Sequence, residues 1–97
     1  MNLFACSGVV ARHFVINGDR KILKFTVAAE KRNGQDRNNV DYVPCVIFNP
    51  DEETIGLIQD QAIVEFTGRV KSFKFQVTGE TNYRTEVVVN ARSLKAL

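Results

Sequence analysis

The sequence predicts an all-β fold, a small closed barrel of five strands with one short helix. Five segments alternate apolar and polar residues with the period of two that strands require, and polar stretches separate them. A helix start, Asn49-Pro50-Asp51-Glu52, falls between the third and fourth segments. The chain has 97 residues, enough for one small core, and we expect a single domain over residues 1–97.

The first two strands form a predicted hairpin. Residues 2–16 make a long strand in which Gly8 allows a bulge or a bend. Asn17-Gly18-Asp19 predicts the turn, because consecutive positive-φ positions favour Asn and Gly. Residues 22–30 are the second strand. Its alternation directs four side chains inward: Leu23, Phe25, Val27 and Ala29.

A polar tip precedes the third strand. Residues 31–39 contain no apolar side chain, so we expect a solvated loop carrying the cations Lys31, Arg32 and Arg37. Residues 40–48 form the third strand. One of its faces holds Val43, Cys45 and Ile47, and the other holds Tyr42, Pro44, Val46 and Phe48.

The helix and two further strands complete the order. Asn49 is the predicted cap and Pro50 the first helical residue, and the helix ends near Gln59. The carboxylates of residues 51–53 complement the positive end of the helix dipole, an interpretation that we prefer to acid–base chemistry. Strand four is predicted over residues 63–75 and strand five over residues 83–91, with Thr78-Gly79-Glu80 as the hairpin tip.

This element order, three strands, a helix and two strands, matches the OB-fold, a five-stranded Greek-key barrel that binds oligonucleotides. An all-β sandwich would need about seven strands. The sequence therefore favours an OB-fold.

Strand four carries the most informative alternation. Its even positions suit a core: Val64, Phe66, Gly68 and Val70. Its odd positions place cations before two phenyl rings: Glu65, Thr67, Arg69, Lys71, Phe73 and Phe75. Cations beside stacking rings are typical of a groove for single-stranded nucleic acid. The alternative is a curved strand whose Phe side chains rejoin the core after a bulge, with lysines that keep an edge soluble.

Composition and missing motifs point to binding rather than catalysis. The formal charge is +2, and the acids cluster between Asp51 and Glu65, which leaves the remaining surface more basic. Cys6 and Cys45 lie in strand patterns and are expected to be buried thiols. With His13 as the single histidine and no phosphate-binding or nucleophile motif, we expect no enzyme, cofactor or metal site. The chain has neither a membrane-length apolar run nor a signal-peptide pattern, so we expect a cytoplasmic protein.

Four segments in this order resemble the strands of the bacterial single-stranded DNA-binding protein family. The segments are residues 25–29 followed by Lys31-Arg32, residues 41–48, residues 64–70 and residues 83–90. The resemblance spans nearly the whole chain, and residues 83–90, Tyr-Arg-Thr-Glu-Val-Val-Val-Asn, are its most specific part.

The resemblance implies a homo-oligomer, usually a tetramer, that coats unwound DNA without sequence preference. It implies base stacking on Tyr42 and Phe75 and phosphate contacts from Lys71 and Lys74. Strand parity adds Phe73 and Phe48, although Phe48 is equally open to a place in the core. The hypothesis places DNA across strands two to four, between two basic fingers. The phosphate-contacting set is Lys31, Arg32, Arg69, Lys71, Lys74 and Arg84, with Arg37 on the first finger.

The chain also departs from the family pattern. It stops at Leu97, without a Gly/Pro/Gln-rich linker or the acidic tip that recruits replication and repair enzymes in the family. Its length is reminiscent of the dimeric primosomal replication protein N (PriB) group, and of short phage- and plasmid-encoded members. Two alternatives stay open: an OB module that docks on a replication partner with weak DNA binding, and an RNA-binding OB domain.

Overall fold

Five strands and one short helix make up the fold. The computed structural model describes residues 2–29, 40–76, 79 and 83–96, without the side chains of residues 73, 75–76 and 83–87. The elements are β1 (Phe4–Asn17), β2 (Lys21–Ala29), β3 (Asp41–Phe48), α1 (Glu52–Leu57), β4 (Ile63–Gln76) and β5 (Tyr83–Ala96). The strands close into a barrel in the order β1-β2-β3-β5-β4, which confirms the predicted five-stranded barrel with its helix between β3 and β4.

The barrel interior holds the side chains that the alternation directs inward. The largest fully buried residues are Phe66, Leu23, Ile58, Val10, Val27 and Val64. Phe66 packs edge-on against Phe25, with ring centroids 6.2 Å apart. It also stacks with Phe4 from β1 at the same centroid distance. The predicted inward face of β2 is therefore confirmed, and Phe66 joins β4 to it. On β3, Cys45 lies in this core, while Val46 on the opposite face is also buried, at 2% exposure.

Both cysteines face this core. Cys45 is buried and Cys6 is half-buried, and both thiols are free. Burial, with a smaller contribution from Cys6, raises the pKa of the Cys45 thiol to about 12. Burial also raises the pKa of Cys6. Because the thiolate is the reactive form, neither group is suited to nucleophilic chemistry near neutral pH.

A β-bulge in β1 lies between Val10 and Arg12, where the register with β2 shifts. The extra residue reverses which side chains of β1 face the barrel. Gly8 was expected to allow such a bulge or a bend, but the bulge lies beyond it. A Cβ on Gly8 would lie 2.3 Å from the carbonyl oxygen of Ala28, so this position needs glycine for close strand approach.

The β1–β2 hairpin is present, but the expected reason for it is wrong. Asn17 pairs with Lys21 across a three-residue connection, residues 18–20. Neither Asn17 nor Gly18 has a positive φ. The two-residue turn that requires such angles is therefore replaced by a longer connection.

The helix differs from its prediction at both ends. Asp51, not Asn49, is the cap, and its side chain accepts a 2.7 Å hydrogen bond from the Thr54 backbone N–H. That bond lowers the pKa of Asp51. Asn49 instead has a φ of 52°. The helix ends at Leu57 rather than near Gln59, because Ile58 leaves helical geometry as its side chain enters the core. In the described part of the chain, no helix has the length and apolar character needed to cross a membrane.

Strand β5 continues to Ala96, beyond its predicted end at Ala91. A second bulge, where Thr67 pairs with Ser93 and Gly68 with Ala91, allows β5 to stay paired with β4. A Cβ on Gly68 would lie 2.4 Å from the carbonyl oxygen of Asn90, so the close approach of the two strands requires glycine. Gly79, at the predicted hairpin tip, has a φ of 87°.

Candidate nucleic-acid interface

Tyr42 lies on the outer face of β3, as predicted. It pairs with Ala28 of β2, whose methyl side chain leaves the ring uncovered. The Tyr42 side chain is 66% exposed. An aromatic ring so exposed on a flat sheet offers its π-face to a base, the contact on which sequence-tolerant single-strand binding depends.

Phe48 lies on the same outer face as Tyr42, at the other end of β3. It pairs with Ile22, while Ile47, the next residue back, packs against the core. The open question about Phe48 is thus answered by the register, which places it outside the core face. Phe48 is half-buried and so has less free surface than Tyr42. The two rings are six residues apart, about 20 Å along the strand.

The predicted cations of β4 follow the point where the strand leaves the barrel. Pairing between β1 and β4 ends at Phe4 and Gly68. Beyond it, residues 69–76 of β4 and 83–88 of β5 form what we call the arm. Arg69 and Val70 still pair with the two β5 residues that β3 also contacts, and from Lys71 onward the paired strands have no third strand among the described residues. Val70 was expected to face the core, but it is 40% exposed because the barrel does not extend over the arm.

Arg69, Lys71 and Lys74 all lie on the arm but not on one face. Arg69 and Lys74 are exposed, and Lys71 is half-buried. Arg69 and Lys71 are separated by two positions and share a face, whereas Lys74 falls on the opposite one. The arm therefore presents positive charge on both sides.

For the other predicted site residues, the structure describes either the backbone alone or nothing. In the arm ladder Phe73 pairs with Glu86 and Phe75 with Arg84. The side chains of Phe73, Phe75 and Arg84 lie outside the described residues, as do Lys31, Arg32 and Arg37 entirely.

A side chain fixes the base of the arm. The Asn2 amide donates a 2.9 Å hydrogen bond to the Val70 carbonyl oxygen and accepts a 3.0 Å bond from the Val70 N–H. These bonds extend the β1–β4 ladder by one step beyond Phe4. Sequence reasoning missed Asn2, because an Asn before a strand carries no signal for a partner 68 residues away.

Several carboxylates lie at the opposite end of the barrel. The connection after α1 docks on β1: Val10 N–H donates to the Ala62 carbonyl, and Gln61 N–H to the Val10 carbonyl. Asp60 lies 2.6 Å from His13 Nδ1. A cleft of about 240 Å³ between α1 and β5 is lined by Asp51 and Glu53, with Arg92 as the one cation among its described lining residues. Carboxylates repel phosphates, so this end is unsuited to a nucleic-acid backbone.

Comparisons with known proteins agree with this fold. The profile described as "Single-strand binding protein family" matches residues 3–95. A single-stranded DNA-binding protein of Staphylococcus epidermidis is 34% identical over 74 residues, which cover 73% of this chain and 56% of that relative. The match thus spans little more than half of that relative's length.

Two solved structures share the fold. The N-terminal domain of PriB from Thermoanaerobacter tencongensis, a dimeric structure, matches with a TM-score of 0.71 and 18% identity, over 99% of this chain and 96% of that one. The mitochondrial single-stranded DNA binding protein Rim1 from S. cerevisiae matches with a TM-score of 0.67 and 15% identity, over 98% and 93% of the two chains.

Proposed function

The chain belongs to the single-strand binding protein family, and on this premise we propose that it binds single-stranded DNA without sequence preference. The process it serves is DNA replication, replication restart, repair or recombination. The observation that carries the proposal is the 66% exposed ring of Tyr42 on the outer face of a barrel whose basic arm leaves the same sheet. Rings for bases beside cations for phosphates are what such binding needs.

Each part of the interface has its own role. Bases stack on Tyr42, with Phe75, Phe73 and Phe48 as further rings. Arg69 and Lys71 contact phosphates from one face of the arm and Lys74 from the other, so the strand wraps the arm instead of running along one side of it. The remaining cations, proposed from the sequence, are Lys31, Arg32, Arg37 and Arg84.

Further properties follow the family. We propose a binding protein without catalytic activity, formed by a single domain over residues 1–97 and acting in the cytoplasm. Among the described residues no third strand pairs with the arm beyond Val70, and such strand edges favour a homo-oligomer, a dimer or a tetramer. Replication or primosome proteins are the expected protein partners. Light scattering of the free protein and of its DNA complex would distinguish dimer from tetramer, and a monomer in both would contradict the proposal of an oligomer.

Fluorescence anisotropy with a labelled oligo-dT tests the function. The wild-type chain should bind the oligomer tightly and the matching duplex much more weakly. Tyr42→Ala should weaken binding by about 1–3 kcal/mol, because it removes a stacking ring. Tyr42→Phe, which keeps the ring, is the matched control and should bind like the wild type. Equal binding by Tyr42→Ala would contradict the stacking role, and no binding by the wild type at low salt would contradict the function.

The salt dependence tests the phosphate contacts. Lys74→Gln should reduce the slope of log affinity against log salt by about 0.7, the value for one contact to a single strand. Lys95→Gln is the control, because Lys95 is also exposed but pairs with Glu65 at the other end of the same ladder. If both variants change the slope equally, the arm has no special part in binding.

A further inference from the structure

The outer surface of the barrel carries a second exposed aromatic ring, Phe14 on β1. Its side chain is 50% exposed, and that of Ile16 beside it is 41% exposed. Arg12, two residues before Phe14, is exposed as well. Large apolar side chains grouped at a surface mark a binding region more often than single ones do. None of these three residues belongs to the interface described above.

The strand register places Phe14 and Tyr42 on one continuous face. Tyr42 pairs with Ala28, and Ala28 with Val9. Phe14 pairs with Lys24, which lies four residues before Ala28 on the same side of β2. Directly opposed residues in a ladder project to the same face of the sheet. Tyr42 and Phe14 are therefore about 13 Å apart along the strands and two strand spacings, about 10 Å, apart across them.

The composition of this face resembles that of the arm. The ladders align twelve outer positions on the three strands: Val9, Arg12, Phe14, Ile16, Ile22, Lys24, Thr26, Ala28, Tyr42, Pro44, Val46 and Phe48. None of these positions carries a carboxylate. Cations stand beside the ring of Phe14 both along its strand, at Arg12, and across from it, at Lys24.

The bulge in β1 is what exposes Phe14. Before it, even-numbered residues such as Val10 face the core, and after it odd-numbered ones such as Val15 do. Without the extra residue, Phe14 would point into the barrel and Val15 would lie on the surface. A phenyl ring is thus turned outward while a valine takes the inner place.

We propose that the bound DNA strand continues from Tyr42 across β2 to Phe14, which stacks a base while Arg12 and Lys24 contact neighbouring phosphates. The inference rests on the proposed function and extends its site to β1. The path of about 16 Å corresponds to no more than about five nucleotides at 3.4 Å per phosphate. That length lies within the 4–16 nucleotides that a single OB-fold covers.

A second copy of this chain fits the same face less well than a nucleic acid does. In a two-fold contact the same patch meets itself, which brings the cations Arg12 and Lys24 close to their own counterparts. Facing like charges are destabilising, and none of the twelve aligned positions carries a carboxylate to compensate, although Glu65 of β4, opposite Ser7, lies on the same face further from Phe14. A polyanion with flat apolar groups satisfies both the cations and the rings.

Anisotropy with labelled oligo-dT of about 16 nucleotides, and of about 4, tests the inference. Phe14→Ala should weaken binding of the longer oligomer by about five- to a hundred-fold, and it should weaken binding of the shorter one less, because a short strand can also bind at Tyr42 and the arm without reaching Phe14. Phe14→Leu should lose a similar amount, since it keeps apolar surface without a π-face. Ile63→Ala is the control, because Ile63 is equally exposed, at 52%, but lies on β4. Arg12→Gln should reduce the salt slope by about 0.7.

The outcomes separate this inference from the proposed function. If the wild type binds neither oligomer, the proposed function fails and this inference fails with it. If the wild type binds and Phe14→Ala binds each oligomer with the affinity of the wild type, the proposed function stands and the β1 extension is wrong. Wild-type affinity in Phe14→Leu would also overturn base stacking. If light scattering shows that Phe14→Ala changes the oligomeric state while its affinity for oligo-dT per site is unchanged, the face binds a second copy of the chain instead.

Discussion

The two halves of β4 have the same alternation of side chains but differ in how deeply the inward-facing ones are buried. Residues 63–68 lie between β1 and β5, and they bury Val64, Phe66 and Gly68. Residues 69–76 pair with β5 alone, and Val70, at the next inward position, is 40% exposed. Parity decides which face a side chain takes, but a second neighbouring strand decides whether that face is a core. The first half therefore stabilises the fold, while the second is available for binding.

Phe66→Ala should have the largest effect on stability and Val70→Ala a much smaller one. Phe66 is 1% exposed and contacts two other rings, so its loss should lower the free energy of unfolding by about 3–5 kcal/mol. Val70→Ala should cost less than about 1 kcal/mol. Urea denaturation followed by circular dichroism measures both. Similar losses in the two variants would mean that the arm is packed as tightly as the barrel.

Gly68→Ala tests the boundary between the two halves. Its Cβ would meet the Asn90 carbonyl oxygen at 2.4 Å, and backbone cannot move aside as a flexible side chain can. We expect a loss of about 1–3 kcal/mol in urea denaturation. Gly56→Ala in α1 is the control, because nothing lies within 4 Å of its added Cβ. Gly56→Ala should gain up to about 1 kcal/mol of stability from helix propensity. If Gly68→Ala proves as stable as Gly56→Ala, the close approach of the strands at Gly68 is refuted.

Asn2→Ala should loosen the base of the arm. Each of the two lost hydrogen bonds to Val70 is worth about 0.5–1.5 kcal/mol, with the lower value expected for this exposed pair. The Val70 amide should exchange its hydrogen faster, whereas amides of the barrel core such as that of Phe66 should not change. Unchanged exchange at Val70 would show that the arm needs no such support.

Asp51 should affect folding slightly and binding not at all. The Thr54 N–H bond lowers the pKa of Asp51, so its stabilising contribution is present above the ordinary value of 3.8 and is lost as the pH falls through the lower folded-state value. Asp51→Asn keeps the cap without titrating, so this loss of stability should disappear from acid unfolding curves. Weaker oligo-dT binding by this variant at neutral pH would place DNA at the wrong end of the barrel.

Sequence reasoning succeeded where a feature depends on the pattern within one strand, and it failed where the feature depends on a neighbouring strand. The alternation in β2 identifies its core face, and a helix start between β3 and β4 identifies the barrel topology. The exposure of Val70 and the bulge opposite Thr67 depend on where β1 ends and how β5 pairs. The cap was ambiguous, because Asn49 and Asp51 are both good capping residues.

The candidate site follows the same rule. Tyr42 was identified through the family resemblance, and the register of its strand agrees with the outer face that parity assigns to it. Phe14 was missed because a bulge precedes it, and the sequence gives no parity signal for that bulge, since Phe14, Val15 and Ile16 are all apolar. Lys74 entered the site through the family resemblance, and parity separates it from Lys71.

Hydrogen–deuterium exchange with and without oligo-dT tests most directly the claim that the arm and the outer face of β3 bind the strand. With DNA present, exchange should slow in residues 69–76 and 83–88 and around Tyr42, and it should stay the same in α1 and residues 59–62. The matching duplex should produce little change anywhere. Slower exchange at the cleft between α1 and β5, with an unchanged arm, would contradict the account.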